Sequence, residues 1–237
     1  RLTNTAIQFL YCHRLGIPLP FLPSPLPPHC HPKCPYYPPH KGGFTVAHLS
    51  HLAHAYHQIA CGATPRRHNR HDALARLIAT AAKTHLRATT DLCKRLISGV
   101  TGPKTKVDLV VTTYRHYPPT TAIDVTISCP LLPSHLSAAA TDAAFLFEAR
   151  AQEKNAKHLP GCVAQERVFL PIVFSSLGGL GPPEATHYID SLFVDAYANE
   201  LLRTGTTRYT AHLRTLLLQS LLASLASSAA DMASALT

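Results

Sequence analysis

Two aspartates sit where aspartate is costly. Asp108 lies in Lys106-Val107-Asp108-Leu109-Val110-Val111, and Asp124 lies in Ala122-Ile123-Asp124-Val125-Thr126-Ile127. Both runs have the Val, Ile and Thr content of strands. A carboxylate embedded in an apolar strand must be paired or bind a cation. The whole chain holds only eight Asp, so one in each of two successive strand-like runs is informative. On neighbouring strands they could converge on Mg²⁺, a hard ion that takes oxygen ligands. Such an ion polarises a phosphoryl oxygen and lowers the pKa of the water that attacks it. A nearby ammonium would orient that nucleophile or neutralise the developing charge. Lys154 and Lys157, three positions apart on one side of the helical segment that follows, are the candidates. Asp91 and Glu148 are possible accessory acids. The simpler alternative leaves Asp108 and Asp124 at strand ends facing water.

A second constellation is made of soft ligands. Cys30 and Cys34 form C-x3-C, and His57 and Cys61 form H-x3-C. Zinc takes four such ligands, and a polar, proline-rich segment would draw its folding energy from the metal. His29, His31, His40, His48, His51 and His54 leave the ligand set open, with His54 able to replace His57. A solvated, metal-free arm is the alternative. Cys93, Cys129 and Cys162 read as small buried hydrophobes. Arg66, Arg67, His68, Arg70 and His71, with Arg76, would form a cationic strip for nucleic-acid phosphates. A solvated helix start would look the same.

The elements that must position these groups follow from periodicity. Ten prolines between Pro18 and Pro39 exclude helix and central strand there. Leu74, Leu77, Ile78, Ala81 and Leu86 recur at helical spacing within a helix expected over Arg66–Leu92. Lys106–Thr113 and Ala122–Ser128 read as strands joined by a Pro118-Pro119 turn, Leu136–His158 as a helix, and Val168–Phe174 as a third strand. The run Leu177-Gly178-Gly179-Leu180-Gly181-Pro182-Pro183 breaks that strand, and a helical tail follows over Glu184–Ala235. This is an α/β order with a small N-terminal appendage.

Composition bounds the class. The 237 residues are 46% hydrophobic, which excludes wholesale disorder. Lys plus Arg total 22 against 13 Asp plus Glu, a formal charge of +9 that favours a polyanionic partner. Seven cysteines, an odd number, scattered along the chain argue against a disulfide framework and for a reducing compartment. The most apolar stretch, Leu213–Leu236, is broken by Arg214, Asp231 and serines and does not read as a membrane span. Arg1 opens directly on a helical segment, Thr3–Leu10, with no secretory pattern. The expectation is the C-terminal part of a longer polypeptide.

In their order, these motifs resemble the C-terminal region of non-LTR retrotransposon reverse transcriptases that carry a restriction-like endonuclease. The resemblance rests on Arg66-Arg67-His68-Asn69-Arg70-His71-Asp72-Ala73-Leu74 after an H-x3-C pair, then a Val-Asp strand, an Asp-Val-Thr-Ile strand and a lysine-bearing helix. Arg14-Leu15-Gly16-Ile17-Pro18-Leu19-Pro20 upstream and Phe169–Phe174 running into Gly178-Gly179-Leu180-Gly181 add to it, so it covers about Arg14 to Pro183. It implies residues 1–27 as the end of an upstream region with a Pro-rich linker and 28–65 as a zinc-knuckle-like segment. It further implies a restriction-endonuclease-like core over 66–183, a small mixed sheet flanked by helices, and a helical tail over 184–237. The knuckle would fall on Cys30, Cys34, His57 and Cys61; the catalytic acids holding Mg²⁺ on Asp108 and Asp124; and the catalytic lysine on Lys157 or Lys154. The implied activity is nicking of target DNA, so that the freed 3′ hydroxyl primes reverse transcription of the element RNA, in the nucleus. The alternative is a catalytically decayed, zinc-containing nucleic-acid-binding remnant. The chain departs from the family at Val107, where Pro is usual, and at Ser175, where an acid is common. Thr126 also stands where the wider nuclease superfamily has lysine, and the knuckle spacing is long and His-rich.

Overall fold

The computed structural model describes residues 66–93, 95–96, 105–114, 120–130, 133–142, 144–176 and 178–234. The proposed knuckle residues Cys30, Cys34, His57 and Cys61 lie outside them, as does the Pro118-Pro119 turn. α1 spans Arg66–Leu86 and is followed by β1 (Thr89–Leu92), β2 (Arg95–Leu96), β3 (Thr105–Lys106), β4 (Leu109–Thr112) and β5 (Thr120–Ser128). α2 (Pro133–Thr141) and α3 (Phe145–Val163) lead to β6 (Val168–Ser175) and β7 (Leu180–Gly181). α4 (Pro183–Ser191), α5 (Val194–Thr204) and α6 (Arg208–Ser234) complete the chain.

The main sheet has the order β1-β4-β5-β6-β7. β5 and β6 run parallel from Thr121↔Val168 to Ser128↔Ser175, while the β1/β4, β4/β5 and β6/β7 pairs are antiparallel. A parallel neighbour needs a crossover, and α2 with α3 provides it. β2 and β3 pair separately as a small ribbon. The α/β class expected from the sequence is therefore the class observed, with a mixed five-stranded sheet.

Alternation along the strands sorts side chains to two faces. Leu109, Val111, Ile123, Val125, Leu170, Ile172 and Phe174 join Leu74 and Ile78 of α1, Ile189 of α4, and Leu221 and Leu225 of α6 in the principal core. Ala122, Val110 and Phe169 form a smaller cluster with Val107 and with Cys162 of α3. Leu74 and Ile78 are fully enclosed, so truncating either to Ala would cost about 2–5 kcal/mol. Because the tail supplies Ile189, Leu221 and Leu225 to that core, residues 184–225 pack with the sheet rather than apart from it.

Several local expectations change. The helix expected to reach Leu92 stops at Leu86, and Thr89–Leu92 pairs with β4 as an edge strand. The helix expected over Leu136–His158 is two helices, because Asp142 Oδ1 accepts the Ala144 N–H at 2.8 Å and turns the chain between them. Cys129 and Cys162 are buried as expected, but Cys93 is exposed at a left-handed φ of 54°. Among the described residues no helix is long and apolar enough to cross a membrane.

Candidate active site

β5 is nine residues long, whereas β4 is four. The two pair only from Thr112↔Thr120 to Leu109↔Ile123, so among the described residues no strand lies beside the β4-facing edge of β5 beyond Ile123. Asp108 fills that gap from a bend just before β4, not from within a strand as expected. Its N–H donates to Ile123 O at 3.1 Å, its carbonyl accepts from Cys93 N at 2.7 Å, and its Oδ2 accepts the Val125 N–H at 2.7 Å. A side-chain oxygen thus continues the ladder where the strand stops. It also brings the Asp108 carboxylate to the peptide next to Asp124.

Asp124 is central in β5, 4% exposed, and opposite Pro171 of β6. Its Oδ2 lies 2.8 Å from Lys154 Nζ on α3 and accepts a long bond from Thr126 Oγ1 at 3.4 Å. Lys154 and His158 are one helical turn apart, and His158 Nε2 lies 3.3 Å from Asp124 Oδ1. That contact is electrostatic, since neither ring nitrogen of His158 has a hydrogen-bond partner. The His158 ring is fully enclosed and tilts 32° against Phe169 at 5.4 Å. Burial holds its pKa below the ordinary value, and Lys157 and Lys154 act in the same sense, while Asp124 and Asp108 pull the other way. Both acids and both lysines lie near enough for their charges to act on that ring.

The far side of the site is α1. His71 Nε2 is 2.9 Å from Asp108 Oδ2, and His71 Nδ1 is 3.1 Å from Asp72 Oδ1. Burial opposes a charge on His71, but the hydrogen bond and charge of Asp108, then those of Asp72, raise its pKa to about 9. An imidazolium donates from both nitrogens, which suits two carboxylate acceptors.

Lys154 meets Asp124, and Asp108 reaches the peptide next to Asp124, whereas Lys157, the lysine that the resemblance favoured, is exposed on the same helix. Glu148 is exposed in the first turn of α3, and Asp91 is exposed on β1. The cationic strip expected on α1 is divided: His68 and Arg76 are exposed, but Arg70 is 3% exposed and His71 faces Asp108. Arg70 lies four residues before Leu74, which lies four before Ile78, so helical spacing already placed it on the buried stripe. His71, expected from the sequence to contact phosphates, instead faces Asp108, and His158 is a neighbour of Asp124 with no role expected from the sequence. His158 had a signal, its one-turn spacing from Lys154; the inward turn of His71 had none. Of the positions where the sequence departs from the pattern it resembles, Val107 is fully buried, and Ser175 is 6% exposed with its N–H bonded to Gly179 O.

Two acidic side chains on adjoining backbone positions form a hard-oxygen donor set, and a carboxylate as buried as Asp124 requires a cation close by. Lys154 supplies one, on a flexible stem whose side chain is 21% exposed. Carboxylate oxygens are the donors that Mg²⁺ takes, but among the described residues no group of three or more His, Cys, Asp and Glu side chains is arranged to hold a metal ion. No protein-family model matches the chain, and no curated protein matches it in sequence. What the geometry defines is a type of site: two carboxylates on adjoining backbone, Asp124 within β5 and Asp108 just before β4, each met by a cationic side chain from a helix.

Proposed function

We propose that residues 66–234 form the metal-dependent, restriction-like endonuclease core of a non-LTR retrotransposon polyprotein, which nicks target DNA to prime reverse transcription of the element RNA. The observation that carries this reading is the buried Lys154–Asp124 pair with the Asp108 carboxylate held at the neighbouring peptide. A mixed sheet with a parallel βαβ step and an antiparallel β4 supports the assignment to that fold. In this reading Asp108 and Asp124 hold Mg²⁺. When bound, the ion supplies an activated water and neutralises phosphate charge. Lys154 exchanges its bond to Asp124 Oδ2 for the scissile phosphate and opposes the charge that develops there. His158, fully enclosed, excludes water from behind Asp124. Cys30, Cys34, His57 and Cys61 form the zinc knuckle that, with exposed cations such as Arg76, holds nucleic acid.

A second reading has one observation in its favour. Lys154 and His71 already give each acid an internal cationic partner, so the cluster is satisfied without an added ion. This describes a nucleic-acid-binding remnant. Conversion of supercoiled plasmid to open circles separates the two. The nuclease reading expects nicking in Mg²⁺ that EDTA abolishes. Binding without nicking in either Mg²⁺ or Mn²⁺ selects the remnant. In either case affinity should fall steeply with salt, by about 0.9 in log–log slope for each phosphate contacted.

A further inference from the structure

His71 belongs to the run that would contact phosphates, yet both of its ring nitrogens face carboxylates of this chain. Its position is not adjustable. Leu74 and Ile78, on the same helix, are fully enclosed in the core beneath the sheet, so α1 and the sheet hold a fixed relation. Asp108, by contrast, stands outside the strand, with its backbone tied through Ile123 O and Cys93 N. The Val125 N–H alone would leave its carboxylate free to rotate about that single bond. A second donor to the same oxygen, arriving from α1, removes that freedom. Asp72 holds the opposite nitrogen, so the ring cannot flip without losing both bonds.

We propose that His71 is a positioning residue: braced by Asp72, it fixes the Asp108 carboxylate at the Val125 peptide, next to Asp124 in the chain, so that the two acids present a preformed site for a hard divalent cation. The inference rests on the metal-dependent reading above and adds a named support to it. Preformation matters because an acid that must first be ordered binds its cation more weakly by the cost of that ordering.

Mn²⁺ is the probe, with the free ion counted by electron paramagnetic resonance in the full chain without DNA. The expected result is a half-saturating Mn²⁺ concentration raised about tenfold by His71→Ala, at the lower end of what loss of an outer support costs. His71→Gln, whose amide N–H can reach toward Asp108 Oδ2, should recover most of that loss. Asp72→Ala should shift the midpoint by about threefold, because its own side chain is 47% exposed. DNA affinity in EDTA should be the same for all four proteins, which a role in phosphate contact would not allow. Circular dichroism melts check folding, and if His71→Ala fails to fold, the Gln and Asp72→Ala proteins carry the comparison. Unchanged Mn²⁺ binding in the variants, or none by the unaltered chain, overturns the proposal. Nicking is assayed on the same samples. An unaltered chain that binds Mn²⁺ but does not nick refutes the nuclease reading, while the titration still decides the role of His71.

Discussion

Asp124 on β5 and Glu200 on α5 are 4% and 7% exposed, and they are satisfied in opposite ways. Glu200 accepts the backbone N–H groups of Tyr209 at 2.7 Å and Thr210 at 2.6 Å, the open donors of the first turn of α6. Those donors cannot move without unwinding the helix, so the carboxylate is a cap and nothing else. Asp124 is met by Lys154 at 2.8 Å, by the imidazole of His158 at 3.3 Å and by Thr126 at 3.4 Å, all through side chains. A lysine can swing away; a helix terminus cannot. The same functional group is structural where the backbone closes it and available for exchange where a flexible cation does. The lesson extends to Asp108, which has one holder of each kind, the Val125 N–H and His71.

The contrast breaks first at Lys154. Lys154→Ala should lower the nicking rate by about 10²-fold or more, since it removes the charge placed nearest Asp124. Lys157→Ala should cost far less, because Lys157 is exposed and reaches the site only as a distant charge. Equal effects in a single-turnover nicking assay would undo the assignment.

Next in size is a change that shifts the lysine without touching it. Phe147, Ala151, Lys154 and His158 share one face of α3. A methyl group at Gly181 would lie 2.6 Å from Phe147 Cγ. Gly181→Ala should therefore destabilise the fold by about 1–3 kcal/mol, measured by denaturant unfolding. Nicking should fall in the protein that remains folded, because α3 is displaced against β5. Wild-type stability would mean that the β7–α3 contact does not set the register.

Glu200→Gln should lower the melting midpoint by a few degrees and leave nicking unchanged, the reverse of what a change at Asp124 should do. The pH dependence follows from the same bonds. Burial opposes the charge on Glu200, but the hydrogen bonds of Thr210 and Tyr209 and the charge of Arg203 hold its pKa below the ordinary 4.5. A carboxylate depressed in the folded state stabilises above its unfolded pKa, and that stabilisation is lost as pH falls through the folded value. The gap between the melting points of the parent and Glu200→Gln should thus be full at pH 7 and close below about pH 4.5. A gap that persists in acid would mean the charge contributes nothing.

The parts of this arrangement that were legible in the sequence are those that depend on local pattern. Val, Ile and Thr runs gave β4, β5 and β6, and the two aspartates could be read as neighbours because they fell in successive runs. The lysine was narrowed to a pair, and only packing distinguished them: Lys154 is one turn from the enclosed His158, whereas Lys157 is not. Asp108 was read into a strand because its flanks are apolar, but the strand begins one residue later. Its carboxylate replaces a ladder bond, which is a tertiary fact without a periodic signature. β1 escaped notice for a related reason. Thr89-Thr90-Asp91-Leu92 is a short, mostly exposed edge that becomes a strand only because Leu109–Thr112 lies beside it. The inward turn of Arg70 was legible through its spacing from Leu74 and Ile78, but the weight of a basic run obscured it.

The central claim is that Asp108 and Asp124 form a cation-dependent nuclease site, and the most direct measurement is the rate of plasmid nicking by the unaltered chain and by Asp124→Asn at saturating Mg²⁺. The amide keeps the size of the side chain and removes the charge that a divalent cation needs. The account predicts Mg²⁺-dependent nicking by the unaltered chain, a loss of about 10²-fold or more in Asp124→Asn, and undiminished DNA binding by that variant. Nicking at equal rates by the two proteins, or none by either, would contradict it.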